Sequence, residues 1–243
     1  MSKQDKRIRI FAGPNGSGKS TLFEEFKKNY STGYFINADE IQKQLTEKKL
    51  IDLSSIGIRP GIKEYQKFYA NSTLIDKAKK DGYKINLILK DNFLLRTSVK
   101  THSYEAAFAA AFIRSQLLKN GLSFSFETVM SHDSKIKEIE EANALGYKTY
   151  LYFICTDNPS INQYRISSRV KKGGHNVSDD KIKSRYFSSL NLLPLAICNV
   201  YRAYLFDNSG KQQSLILETY KGNHLTYYQT NFPLWISNYI QNK

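Results

Sequence analysis

Two cysteines, Cys155 and Cys198, are all that the 243 residues contain. Each lies in an apolar stretch, so both read as reduced core thiols and not as a disulfide framework. No apolar run approaches the ~18 residues that a membrane-crossing helix needs. Residues Met1 to Arg9 are polar and basic and lack the apolar centre of an export signal, so the expectation is a cytoplasmic protein with no membrane partner. His175 has no second His or Cys at ligand spacing, which argues against a metal role, and His102, His132 and His224 are isolated. Repeats and low-complexity tracts are missing. Acidic residues are scarce, 22 against 36 Lys and Arg, for a formal net charge of +14. Such a surface attracts polyanions. The basic charge concentrates between Arg165 and Arg185, where seven basic residues face two acidic ones.

Hydrophobic residues make up 41% and aromatics 13%, enough to bury a sizeable core. Arg7 to Ala12 reads as a short buried strand, Lys19 to Asn29 as a helix, Tyr34 to Asn37 as a strand and Asp39 to Lys49 as a helix. Residues 51–102 read as an insertion with a helix over Ile62 to Lys80 and one or two strands, one of them over Tyr83 to Lys90. Ser103 to Lys119 is a helix ended by Asn120-Gly121, and Leu122 to Phe126 is a strand that stops at Glu127. A helix over Lys135 to Leu145 precedes the longest strand pattern, Tyr147 to Cys155. Helices over Asn158 to Val170 and Asp179 to Leu193 flank Gly173-Gly174-His175. Tyr201 to Phe206 is a strand, and Ser214 to Tyr220 forms a terminal hairpin with the segment near Tyr227. Trp235 and the tail tyrosines (Tyr227, Tyr228, Tyr239) read as packing aromatics. Strands alternating with helices predict a single α/β domain over residues 1–243, built on a mainly parallel sheet covered on both faces. Gly13, Asp39, Glu127, Asp157 and Asp207 closely follow or end their strands, where such sheets bind ligands.

The strongest pattern is Gly13-Pro14-Asn15-Gly16-Ser17-Gly18-Lys19-Ser20. It lies between a strand and a helix, as G-x-x-x-x-G-K-[ST] requires. Gly13, Gly16 and Gly18 permit torsions and close approaches that a Cβ blocks. The N–H groups of Asn15, Ser17 and their neighbours then cradle the β-phosphate of ATP at the positive end of the helix. Lys19 reaches the β/γ-phosphates, Ser20 offers its hydroxyl to Mg²⁺, and Thr21 bonds the α-phosphate.

Taken in order, five stretches resemble the zeta-toxin-like family of P-loop kinases. They are Ala12 to Thr21, Asn37 to Ile41, Ser123 to Ser131, Arg169 to Val177 and Phe206 to Ser209. The resemblance implies a P-loop fold with strand order 2-3-1-4-5 and transfer of the ATP γ-phosphate to a hydroxyl. In the best-known members the hydroxyl belongs to a UDP-linked amino sugar, and the kinase is the toxin of a toxin–antitoxin pair, so an antitoxin is an expected partner. Two features differ from the toxins. The insertion is longer than in compact members, and Glu127-Thr128-Val129 stands where they show an acid, a spacer and a threonine. Both fall where an acceptor is contacted, so the acceptor stays open among small molecules that carry a hydroxyl.

Asp39 is the candidate base, from its place after the second strand and from the Asn37-Ala38-Asp39 match, with a helix N-cap as its bland alternative. Glu127 is placed at substrate hydroxyls or at a Mg²⁺-bound water, with Thr128 and Ser131 as weaker substrate contacts. Arg165, Arg169 and Arg185 belong to a lid over about 165–185 hinged at Gly173-Gly174, and at least one should meet the transferring phosphoryl. Arg165 and Arg169 are assigned to catalysis and Arg185 to the nucleotide. Asn208, in the turn after the fifth strand, lies near the adenine by resemblance. The leading function is a kinase with a small-molecule acceptor. Two alternatives stand beside it: an RNA or polynucleotide kinase, and a nucleotide-binding regulatory module without transfer chemistry.

Overall fold

The computed structural model describes residues 5–171, 173 and 177–241. The chain divides into two compact units, one of Met1–Thr32 with Ser125–Lys243 and the other of Gly33–Phe124. The first unit opens with β1 (Arg7–Ala12), whose Ile8, Ile10, Phe11 and Ala12 are buried, and α1 (Lys19–Phe26).

The second unit carries β2 (Tyr34–Ile36), α2 (Ala38–Lys48), β3 (Leu50–Asp52), α3 (Ile62–Ala70), α4 (Thr73–Lys80), β4 (Leu87–Lys90), β5 (Phe93–Arg96) and α5 (Ser103–Lys119). The expected insertion, 51–102, lies within this unit. Its content differs from the sequence reading. The helix expected over Ile62 to Lys80 breaks in two, because the Asn71 side chain donates to the Lys67 carbonyl at 2.7 Å and Ser72 is extended. The strand expected from Tyr83 begins only at Leu87. The carbonyls of Lys84 and Ile85 are bonded by side chains, His102 at 2.9 Å and Tyr69 at 3.3 Å, and so join no ladder. One or two strands were expected and three are present, β3 and β5 lying at positions not foreseen, in an antiparallel sheet ordered β3-β5-β4. The tight β4–β5 turn sets Asp91 and Asn92 at φ 48° and 66°, a left-handed pair suited to a two-residue hairpin. Phe108 and Phe112 of α5 meet Tyr65 and Phe68 edge-on to form the unit's aromatic core.

β6 (Phe124–Thr128) returns the chain to the first unit, followed by α6 (Ser134–Ala144), β7 (Lys148–Cys155), α7 (Pro159–Lys171), α8 (Asp179–Asn199), β8 (Arg202–Asp207), β9 (Ser214–Tyr220) and β10 (His224–Tyr227). The strands stand in the order β10-β9-β8-β7-β1-β6. β1, β7 and β8 are parallel, and β8, β9 and β10 are antiparallel. The segment β6-β1-β7-β8 thus follows 3-1-4-5 of the expected order, and the expected terminal hairpin extends the sheet. Phe23 and Phe26 of α1 cover Phe11, and Phe26 also covers Tyr152, on one face; Leu151, Phe153, Ala203 and Leu205 are buried on the other.

Four expectations in this unit are corrected. β6 starts at Phe124, two residues later than expected, and runs through Glu127 to Thr128. α8 runs through Pro194 to Asn199. Pro194 removes one backbone donor, but Leu190, Leu193, Ala196 and Ile197 keep a buried face in register past it. Cys198 is exposed, so only Cys155 is a core thiol. Trp235 is buried as expected, but Tyr227 and Tyr228 stand 44% and 52% exposed. Burial pushes the Cys155 thiol well above its ordinary pKa. A thiol reagent should therefore label one cysteine per native chain at neutral pH, Cys198, and two after denaturation; peptide mapping of the labelled site checks this. Among the described residues no helix is long and apolar enough to cross a membrane.

Candidate active site

The loop between β1 and α1 is folded for a phosphate. Gly13 has φ 142°, and a Cβ there would lie 2.0 Å from the Ile154 carbonyl oxygen of β7. Gly18 has φ 107°, and its Cβ would lie 2.4 Å from the Asn208 amide nitrogen. Neither position tolerates a side chain. Gly13→Ala should therefore cost several kcal/mol in backbone strain and clash and should abolish nucleotide binding. Thermal melting with and without ATP checks it: a lowered midpoint that ATP no longer raises is expected.

Two side chains converge on one carboxylate. Ser20 Oγ donates to Glu127 Oε2 at 2.9 Å, and Lys19 Nζ lies 3.8 Å from Glu127 Oε1. Lys19 is buried and also donates to the Pro14 carbonyl at 2.9 Å, spanning its own loop. Lysine cation, serine hydroxyl and glutamate carboxylate thus meet at the start of α1, held by β1 and β6. This oxygen set suits a hard divalent cation that keeps most of its waters and takes phosphate oxygens as further ligands. Ser17 Oγ is buried and has no hydrogen-bond partner among the described residues.

Two asparagines brace the loop from behind. Asn162 of α7, fully buried, donates its amide to the Asn15 carbonyl at 2.6 Å and pairs its oxygen with the Thr156 hydroxyl. Asn208 donates to the Ser17 carbonyl at 2.8 Å, while its own backbone N–H bonds the Cys155 carbonyl at 2.8 Å. Binding these carbonyls from outside favours N–H groups that face inward. Asn208 was expected at the adenine, yet its amide is engaged with the loop backbone. Asn162 was not singled out from sequence, since a polar residue in a predicted helix does not announce that it faces a loop.

Asp157 and Asp207, both at strand ends, are structural. Asp207 accepts from Ser209 N–H at 3.0 Å, Ser209 Oγ at 2.8 Å and Trp235 Nε1 at 3.0 Å, and Asp157 accepts from Trp235 N–H at 3.4 Å. They anchor the turn that carries Asn208. Among the lid arginines, Arg185 approaches Asn15 Oδ1 at 3.5 Å, Arg165 approaches the Gly210 carbonyl at 3.5 Å, and Arg169 is exposed on α7. Lys172, Gly174 and His175 of the expected lid lie outside the described residues. Thr128 Oγ1 accepts from Met130 N–H at 3.1 Å, closing a turn after β6. Ser131 is half-buried beyond that turn, and Thr21 is exposed in the first turn of α1.

Asp39 belongs to the second unit. It is exposed in the first turn of α2, and Asn37 is the cap there, accepting from Asp39 N–H at 2.8 Å and Glu40 N–H at 3.4 Å. The capping alternative for Asp39 is therefore removed, and its carboxylate makes no hydrogen bond or ion pair among the described residues.

Comparison with solved structures agrees with this architecture. AvrRxo1-ORF1 in its complex with AvrRxo1-ORF2, solved with ATP, matches at TM-score 0.57 and 16% identity, over 93% of this chain and 61% of that one. The same complex with sulphate ions matches at 0.57 and 14%, over 93% and 62%. A structure from the PezAT chromosomal toxin–antitoxin system of Streptococcus pneumoniae matches at 0.54 and 16%, over 100% and 80%. The chain shares the fold of these three structures. No profile of a known protein family matches it. An uncharacterised Haemophilus influenzae protein is 35% identical over 69 residues, 28% of this chain and 49% of that one. The chain thus spans about half the length of this curated relative and about three-fifths of AvrRxo1-ORF1.

Proposed function

We propose that this protein is an ATP-dependent phosphotransferase that moves the γ-phosphate to a hydroxyl of a small molecule. The carrying observation is the convergence of Lys19 Nζ and Ser20 Oγ on the Glu127 carboxylate at the phosphate loop. A loop that only held phosphate would not need an acid beside its lysine and serine. In this reading the loop amides bind the β-phosphate and Lys19 draws charge from the β/γ-bridge as it breaks. Ser20 and Glu127 would hold Mg²⁺, which would supply charge neutralisation at the transferring phosphate. The acceptor oxygen bonds phosphorus, the bond from phosphorus to the ADP oxygen breaks, and Asp39 takes the acceptor's proton. Arg185, already at the loop, and Arg165 or Arg169 meet the charge on the γ-oxygens. The roles of Asp39, Thr128 and Ser131 toward the acceptor rest on the sequence motifs. Residues 165–185 are read as the lid over this site.

Glu127→Gln keeps the size of the side chain and removes its charge. The Mg²⁺ concentration for half-maximal activity should rise by about 10- to 100-fold, the usual cost of losing a partner of a metal site. Initial rates across a Mg²⁺ titration at saturating ATP measure it; an unchanged Mg²⁺ requirement would remove Glu127 from the metal. The fold shared with a structure from a Streptococcus pneumoniae toxin–antitoxin system supports a further reading, that the protein is a toxin held by an antitoxin.

A further inference from the structure

One cross-strand row of the main sheet alternates cation and ring. Arg9 of β1 is in register with Tyr150 of β7, Tyr150 with Arg202 of β8, Arg202 with Tyr220 of β9, and Tyr220 with His224 of β10. Residues paired in this way point to the same face. The guanidinium of Arg9 lies 5.9 Å from the Tyr150 ring centre, and that of Arg202 lies 5.3 Å from the Tyr220 ring centre. Lys148 and Lys221 add ammonium groups 5.4 Å and 5.5 Å from the rings of Tyr201 and Tyr220.

The next row toward the phosphate loop is closed. Phe11 and Tyr152 there lie under Phe26 of α1, at 5.5 Å and 4.9 Å. α1 ends at Phe26, so the row of Arg9, Tyr150, Arg202 and Tyr220 lies past the helix and stays half-exposed, and all four residues of β10 are exposed. An uncovered sheet face in a soluble fold ordinarily carries polar side chains. This one carries rings and cations. Glu218 answers one charge, 3.2 Å from Arg202 NH1, which also donates to the Tyr204 hydroxyl at 3.4 Å, and the buried Arg202 Nε has no acceptor among the described residues. Arg9 precedes Gly13 by four residues, so the row stands about 13 Å from the phosphate loop along the strand direction.

We propose that this face binds single-stranded polynucleotide, with bases stacked on Tyr150 and Tyr220 and the backbone phosphate between them on Arg202. Neighbouring strands are about 4.8 Å apart, so the two tyrosines stand about 10 Å apart with Arg202 on the strand between them, and the Tyr201 ring packs edge-on against both, at 5.6 Å and 5.1 Å. Rings take the faces of unstacked bases and guanidinium groups take phosphates, which is how single strands are held without sequence preference. A duplex hides its base faces from a sheet, and an acidic peptide has no use for the rings. The surface is separate from the phosphate loop and independent of the function proposed for it.

Fluorescence anisotropy with a labelled oligouridine, between about 50 and 200 mM salt, tests it. Tyr150→Leu and Tyr220→Leu keep apolar bulk and remove the stacking ring, and each should weaken binding roughly tenfold. Arg9→Gln with Arg202→Gln should flatten the slope of log K against log salt by about 1.4. All variants should keep the wild-type melting temperature and ATP affinity, which separates lost stacking from lost fold. Single-strand binding that survives both tyrosine changes overturns the proposal. So does tighter binding to a duplex of the same length, or polyglutamate that competes fully and is insensitive to the tyrosines, which would assign the face to an acidic protein segment.

Discussion

Lys19→Ala should lower phosphoryl transfer by on the order of 10³-fold or more, because it removes the buried cation that stands at the loop 3.8 Å from the Glu127 carboxylate. The change also removes the donor to the Pro14 carbonyl and the Lys19–Glu127 ion pair. A stability loss of about 1–3 kcal/mol accompanies that. Alanine itself suits the first turn of α1. Transfer rates are therefore compared below the melting temperature of the variant. If the protein is a toxin, the same variant expressed in bacterial cells should no longer restrain growth. Near wild-type transfer from a folded Lys19→Ala protein would show that the lysine does not face the nucleotide.

The second large effect is expected at Asp39. Asn37 holds the N-terminus of α2 through two backbone N–H groups, so Asp39→Asn leaves the cap untouched and shifts stability only by the loss of one helix-dipole charge, about 0.3–1 kcal/mol. Asparagine has the shape of aspartate and no basicity at neutral pH. A base role predicts unchanged ATP affinity and a kcat lowered by roughly 10²–10⁴. Phosphoryl transfer is largely loose, which places the loss toward the lower end. ATP binding and transfer, measured on one preparation, decide between base and bystander. Transfer at the wild-type rate would leave Asp39 as a surface acid.

Much of the first unit was legible in the sequence because its signals are local. The phosphate loop is a contiguous pattern whose glycines answer to sterics. β1 and β9 there, and α5 in the second unit, appear with the expected bounds. The second unit was read poorly where side chains compete with the backbone. Asn71 ends α3 by bonding Lys67, and His102 and Tyr69 take carbonyls that a longer β4 would have used. β3 is three residues long, too short for a period to show. Pro194 reads as a helix stop, and only the buried face on both sides of it reveals that α8 continues.

The site divides the same way. Glu127 was a candidate from its strand, but its meeting with Ser20 joins residues 107 apart and is a property of the fold. Asn162 and Asn208 reach the loop across 147 and 191 residues, and no spacing rule connects them. Their type and position fit ordinary helix and turn residues as well as loop braces. The aromatic and basic row of the sheet is likewise invisible along the chain, since each strand contributes one of its members.

The central claim is that this chain transfers the γ-phosphate of ATP to a small hydroxyl-bearing molecule. The most direct test incubates the purified protein with Mg²⁺ and γ-labelled ATP in a metabolite extract and follows the label by mass spectrometry. The account predicts ADP and a labelled product heavier than its precursor by one phosphoryl group, formed by the wild type and absent with Lys19→Ala. Label that remains in ATP, or that appears only as inorganic phosphate across the whole extract, would contradict it.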